Sequence, residues 1–275
     1  MSSLVLAARA AADRSILAEL IDRQRTLAIF GFATLFLALP AIAMIPADPR
    51  TLAGVSVWVK PAKFLVSIGI FSLTAAWYYG YVAPEGRQSR ALRWSVQAIV
   101  WSGTFELLYI GYQASQGAAS HFNTGTAFHA IMYGLMGVSA VILIATTLPL
   151  AAAIVRRPAD GLSRDFVAAV AIGLVLTFLL GGGLGGYMSS QPGHSVGPEG
   201  GGFPIFGWNR LGGDLRVAHF LGIHAEQALP ILAALVASWG VRERWTALGL
   251  GTLLYVALTL AVFAQAVAGS AFLAF

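Results

Sequence analysis

The chain has 275 residues, of which 57% are hydrophobic and 11% charged, with 17 Lys and Arg against 12 Asp and Glu and no cysteine. Soluble globular domains carry about a quarter charged residues, so this composition excludes that class, and the missing cysteines exclude disulfides, thiolate metal sites and thiol catalysis. The net charge of +5 is scattered over short segments between apolar runs rather than gathered in one patch, which marks membrane topology and not a nucleic-acid partner.

Residues 1–26 form a first unit. Ile16, Leu17, Leu20 and Ile21 interleave there with Asp13, Arg14, Glu19, Asp22, Arg23 and Arg25, the pattern of an amphipathic helix lying on the bilayer surface at the cytoplasmic side. Apolar runs long enough to cross the hydrocarbon core as helices follow at about 27–46, 62–83, 94–114, 126–150, 165–187, 217–239 and 245–268. Residues 27–275 therefore read as one all-α bundle of about seven transmembrane helices, with its main partner the lipid bilayer. The first run ends in Met44-Ile45-Pro46-Ala47-Asp48-Pro49-Arg50 without a small-x-small cleavage pattern, so a cleaved secretory signal is not expected.

Orientation follows from Lys and Arg. One side holds Arg9, Arg14, Arg23 and Arg25, then Arg87, Arg90 and Arg93, then Arg156, Arg157 and Arg164, then Arg242 and Arg244; the other holds only Arg50, Lys60, Lys63, Arg210 and Arg216. The richer side is expected to be cytoplasmic, placing the N-terminus inside and the C-terminus outside a bacterial inner membrane. All five histidines then gather toward the external face.

Ionisable and amide side chains at membrane depth need a reason to be there. Lys60 and Lys63 open the second span. In the third, Ser102, Glu106, Tyr109 and Gln113 recur at steps of three and four, forming one helical stripe with Glu106 in the outer half; it is expected to face the sixth span or to pair with Lys60 or Lys63. The uncharged segment Ser120-His121-Phe122-Asn123-Thr124 precedes the fourth span, where Asn123 or Thr124 is expected to cap the helix and His129, Met132 and Met136 share a side. In the fifth span Gly181, Gly182, Gly183, Gly185 and Gly186 give overlapping G-x-x-x-G steps, the signature of close helix approach. A Gly/Pro-rich external loop at about 189–214 carries Phe203, Phe206 and Trp208 and reads either as a lid over the bundle mouth or as a loose connector.

The sixth span is the most polar. Asp214 and Arg216 open it, His219 and Glu226 fall almost on one line, and His224 and Gln227 lie beside them, so a polar arc of roughly 160° must face protein or water rather than lipid. Pro230 is expected to bend this helix. The inner halves of the spans read as Ala, Leu, Val and Ile, with Thr146 and Thr147 as exceptions.

Taken together, Lys60-Pro61-Ala62-Lys63-Phe64, Glu106 with Gln113, Ser120-His121-Phe122-Asn123, and Asp214 to His219 continuing through His224, Gln227 and Pro230 resemble an uncharacterised family of bacterial polytopic membrane proteins. The resemblance runs from the second span to the sixth and implies no activity; such proteins often carry aspartate where this chain has His129.

Three functional classes remain open on these residues. The first is a cofactor site near the external face: His129, His219 and His224 as ligands to a b-type haem or a divalent metal, with Glu106 and Glu226 as catalytic acids or bases and Lys60, Lys63, His121, Asn123, Asp214, Arg216 and Gln227 completing the binding site. A quinone or another lipid-soluble molecule would then be the partner. Against it, the five-residue step from His219 to His224 sets the two rings about 140° apart on a regular helix. The second is proton-coupled transport through Glu106, His219, His224 and Glu226. The third is a structural or sensor subunit with a hydrogen-bonded polar core, as a possible homo-oligomer. A retinal protein is excluded, since the only lysines stand at an external helix end rather than deep in a span.

Overall fold

The computed structural model describes residues 15–52, 54–202 and 206–273; Arg9, Asp13 and Arg14 of the N-terminal segment lie outside them. Helix α1 (Ile16–Arg23) starts where the Ser15 hydroxyl accepts the Ala18 N–H at 3.2 Å, and Gln24, which ends it, uses its side chain to accept the Leu27 N–H and open α2 (Arg25–Ala47). Both are the side-chain satisfaction of otherwise orphaned N-terminal amides. The helices that follow are α3 (Val59–Tyr79), α4 (Arg90–Ser115), α5 (Ala127–Ala145) and α6 (Thr147–Arg156). Then come α7 (Arg164–Leu176), a π segment (Thr177–Gly182), α8 (Gly183–Ser189), α9 (Leu215–Ile223), α10 (Ala225–Ser238) and α11 (Arg244–Val267). Two short antiparallel ladders join them: β1 (Thr51–Leu52) with β2 (Val55–Ser56), and β3 (Ser195–Val196) with β4 (Gly213–Asp214), where Ser195 faces Asp214.

Five stretches are long and apolar enough to cross a membrane: α2, α3, Ala127–Arg156, Arg164–Ser189 and α11. A sixth is reached if α9 and α10, bent by 55° at His224, count as one span. The expected seven are not reached on this test because α4, at 26 residues, carries Gln97 and the stripe Ser102, Glu106 and Gln113. That stripe is buried, with Tyr109, as the spacing requires. The outward side of α4 is apolar: Trp94, Trp101 and Leu108, two turns apart, are 70% or more exposed. Exposed Phe36, Leu250, Leu253 and Leu254 on other helices complete an outer surface suited to lipid.

The helices approach closely where glycine allows it. A Cβ on Gly31 of α2 would lie 3.0 Å from the Gly69 carbonyl of α3, and one on Gly173 of α7 would lie 2.8 Å from the Ala225 carbonyl of α10. The largest apolar core sits toward the arginine-rich end, where Leu20, Leu27, Tyr78, Val82, Leu92, Ile99, Ile154 and Leu174 pack together. α1 contributes Leu20 to it, and Arg23 fastens α1 to α3 by donating to the Trp77 carbonyl at 2.7 Å while its guanidinium lies 3.9 Å from the Trp77 ring centre. Ile16 and Leu17, which flank Leu20 on the same face of α1, remain exposed.

The break in the sixth polar span differs from expectation. α10 continues through Pro230 unbroken, and the bend falls at His224, six residues earlier. Pro230 only removes the donor to the carbonyl four residues back, which finds another partner; the bend follows from contacts between backbones. A Cβ on Gly222 would sit 2.7 Å from the Gly181 nitrogen, so α9 is pressed directly onto the π segment. The expected cap of α5 also moves: Thr126, not Asn123 or Thr124, accepts the His129 N–H at 3.2 Å. Asn123 instead donates to the Ala119 carbonyl at 2.9 Å, closing a turn in which Phe122 holds a φ of 56°.

Candidate functional site

The ends of α3, α4 and α9 remote from the arginine-rich end bring one group of predicted residues together. Glu106, 3% exposed on α4, has no hydrogen-bond partner on either carboxylate oxygen among the described residues. The charge that reaches it is that of Lys60 at the start of α3, which forms no salt bridge with it at 4 Å and whose ammonium lies 5.9 Å from the Phe64 ring centre. His121 belongs to the same neighbourhood: its ring packs against Phe64 at 5.6 Å and Tyr133 at 6.0 Å, and shares a 3.1 Å hydrogen bond with the Ser120 hydroxyl. Burial, with a further contribution from Lys60, pushes the His121 imidazole down to about 3, so it is neutral at physiological pH.

Next to this group, Arg216 grips Asp214 at 2.5 Å and donates to the Gly207 carbonyl at 2.7 Å. Burial would raise the Asp214 carboxyl, but its bonds from Arg216 and from the Asn209 N–H outweigh that and hold it below the usual carboxylate range. Lys63 donates to the Phe206 carbonyl at 2.6 Å. Asn209 is the hub of the Gly/Pro-rich loop: its side chain accepts from the Gly200 and Leu211 N–H groups and donates to the Pro198 carbonyl. The loop is thus tied to α3 and α9 by two cations and an asparagine, with Phe206 stacked on Trp208 at 4.5 Å and both against Phe220.

A second group collects at the broken helix. The Glu226 N–H donates to the Thr177 hydroxyl of the π segment at 2.9 Å, and its carboxylate accepts from the Gln227 amide at 2.9 Å. Gln227 also donates to Thr74 of α3 and shares a bond with the His224 imidazole at 3.2 Å. His219 bonds to the Gly181 carbonyl at 3.0 Å, its ring edge filling the place where Gly185 has no side chain. Of the predicted glycines, Gly181 and Gly185 make the close approach, while Gly183 and Gly186 meet nothing within 4 Å.

The histidines expected as metal or haem ligands have separate partners. His129 is held by its own capping Thr126 at 2.9 Å, His219 by the π segment and His224 by Gln227. Among the described residues no group of three or more His, Asp or Glu side chains comes close enough to hold a metal ion. Met132 and Met136 pack with Tyr109, Ile110, Phe64 and Phe105.

The residues missed by sequence reasoning are those that serve the broken helix. Tyr78 donates to the Glu226 carbonyl at 2.5 Å, and Thr74 and Thr177 hold Gln227 and the start of α10. Hydroxyls in apolar spans usually bond to their own helix, as Thr146 and Thr147 do to Leu143 and Ile144, so these carry no distinguishing signal. They also correct the expectation that the inner halves hold few polar groups. A mostly apolar crevice of about 430 Å³, in which Thr74, Gln227 and Tyr78 stand among Leu20, Phe166 and Ile231, lies beside the broken helix. No protein-family model, no curated protein and no solved structure matches the chain.

Proposed function

We propose that this is a seven-span membrane protein, N-terminus cytoplasmic, that binds a small polar solute at its external face and couples that binding to protonation of Glu106, as a proton-linked transporter does. The observation that carries the reading is Glu106 itself: a carboxyl whose two buried oxygens have no hydrogen-bond partner among the described residues, within electrostatic reach of Lys60, for which no hydrogen bond is found among those residues. A buried acceptor and a donor left open in one place favour a ligand that supplies both complements, such as a small zwitterion or hydroxy acid. Counting α4 as a span rests on its outward Trp94, Trp101 and Leu108 stripe; the orientation rests on the arginine asymmetry.

Transport is preferred to a haem or metal centre because the three candidate ligands are committed singly, and to a one-sided receptor because polar groups continue inward. Glu226, Gln227 and Thr74 lie at the broken helix and its crevice. Helices interrupted at mid-membrane, with free backbone groups at the break, are a recurring device for substrate and proton sites.

Reconstituted liposomes carrying an internal pH dye test this. Amino acids, hydroxy acids and neutral sugars are added outside in turn. An internal pH change with at least one amino or hydroxy acid in the wild type, absent in Glu106→Gln, is expected. No pH response to any class, with wild type and Glu106→Gln equally folded, would overturn it.

A further inference from the structure

At the arginine-rich end, far from the Glu106 group along the bundle, α4 begins beside a cleft of about 510 Å³. Arg87, Arg90, Arg93, Gln24, Gln97 and Trp94 supply its polar and aromatic wall. The spacing along α4 explains the clustering, since positions 90, 93, 94 and 97 share one helical face. Among the described residues no carboxylate lines the cleft, and three guanidinium groups border it together.

Their hydrogen bonds show which donors are taken. Arg87 is fixed by giving Nε to the Val82 carbonyl and one terminal nitrogen to the Gly80 carbonyl, and Arg93 gives one to the Gln88 carbonyl at 2.9 Å. Arg90 makes no hydrogen bond or ion pair among the described residues. All three arginines line the cleft with guanidinium nitrogens left over, and fork-shaped donors of this kind suit the oxygens of a phosphate.

The cleft also meets the lipid-facing surface. Trp94 in its wall is 74% exposed, and Trp101 and Leu108 continue the same stripe along α4. An occupant whose phosphate lies among the arginines would have its apolar part running down that stripe, with Trp94 at the interface where indoles concentrate.

We propose that this cleft is a binding site for the phosphate head group of an anionic glycerophospholipid. The site is distinct from the Glu106 group and does not depend on what that group does. Attraction of basic clusters to anionic lipid at the cytoplasmic leaflet is a general electrostatic effect; the claim here is a defined pocket.

Native mass spectrometry of the full-length detergent-purified protein tests it, titrating phosphatidylglycerol and phosphatidylcholine of matched acyl chains, and glycerol phosphate and inorganic phosphate as soluble sources of the same group. The wild type should retain phosphatidylglycerol in a saturable one-to-one complex and phosphatidylcholine only weakly. Arg90→Gln with Arg93→Gln should weaken phosphatidylglycerol retention by roughly 30-fold, while Arg242→Gln with Arg244→Gln, an equal charge loss outside the cleft, should leave it unchanged. Equal loss in both double variants would show a diffuse charge effect and overturn the proposal. So would equal retention of the two lipids by the wild type, or displacement of the lipid by soluble phosphate at equal concentration.

Discussion

The Tyr78 hydroxyl of α3 donates to the Glu226 carbonyl of α10 at 2.5 Å, and Glu226 is the residue four before Pro230. In a regular helix that carbonyl would accept the N–H of residue 230, which proline lacks. A tyrosine from a neighbouring helix therefore replaces the missing backbone donor, and α10 continues unbroken through its proline.

Replacing Tyr78 with Phe should leave this buried carbonyl unpaired and cost about 1–3 kcal/mol. In a Pro230→Ala background, the alanine N–H can take the place of the tyrosine, and the same replacement should cost much less. Denaturant unfolding in detergent of the four proteins of this double-mutant cycle measures the difference; an equal cost of Tyr78→Phe in both backgrounds would refute the substitution of donors.

Two glycines a short distance apart should respond in opposite directions. An added Cβ at Gly222 would meet the backbone of Leu180 and Gly181 at 2.7 to 2.8 Å, whereas one at Gly186 meets nothing within 4 Å. Gly222→Ala should force α9 off the π segment and destabilise by about 1–3 kcal/mol. Gly186→Ala should be neutral or stabilising by up to about 1 kcal/mol, since alanine favours a helix over glycine. Thermal melting in detergent separates them.

Asn209 ties together backbone groups of Pro198, Gly200 and Leu211, and its own N–H holds Asp214. Asn209→Ala removes the three side-chain links and should make this loop open to protease within 195–214, with the long helices intact. Limited proteolysis followed by mass mapping reads this out. Cleavage no faster than in the wild type would mean that Lys63 and Arg216 suffice to hold the loop.

His121 should make the protein acid-sensitive. Its folded value of about 3 lies below the ordinary imidazole value of 6.5, so between these limits the unfolded chain binds the proton and the folded one does not. Stability then rises with pH through that window and is lost as pH falls below 6.5 toward 3. Between pH 6.5 and 5 the loss attributable to this group is at most about 2 kcal/mol. His121→Phe should flatten the dependence of melting temperature on pH over that interval; an unchanged slope would remove His121 as its source.

Periodicity made part of the site legible. Steps of three and four in Ser102, Glu106, Tyr109 and Gln113 require one helical face, and all four are buried. The expected pairing of Glu106 with Lys60 or Lys63 is met only by the electrostatic reach of Lys60, since no salt bridge or hydrogen bond joins Glu106 to either lysine among the described residues. The arc assigned to the sixth span was less secure, since projecting His219 and Glu226 onto one line assumes an unbroken helix, and the break at His224 separates α9 from α10. Grouping His129 with His219 and His224 failed to appear for a related reason: each imidazole had a nearer local acceptor or donor in Thr126, Gly181 and Gln227.

The sequence by itself determined that the chain is a helical membrane protein, where most of its apolar helices run, and which residues are too polar to face lipid, because all three follow from transfer free energy and helical period. Only the tertiary structure decided where the sixth polar segment breaks, that a π segment opposes it, that Tyr78 completes the backbone bonding of α10, and that Glu106 has no hydrogen-bond partner among the described residues. Each of these depends on how closely two backbones approach or on which distant hydroxyl arrives at a freed carbonyl. Such contacts are made between helices and leave no period along the chain.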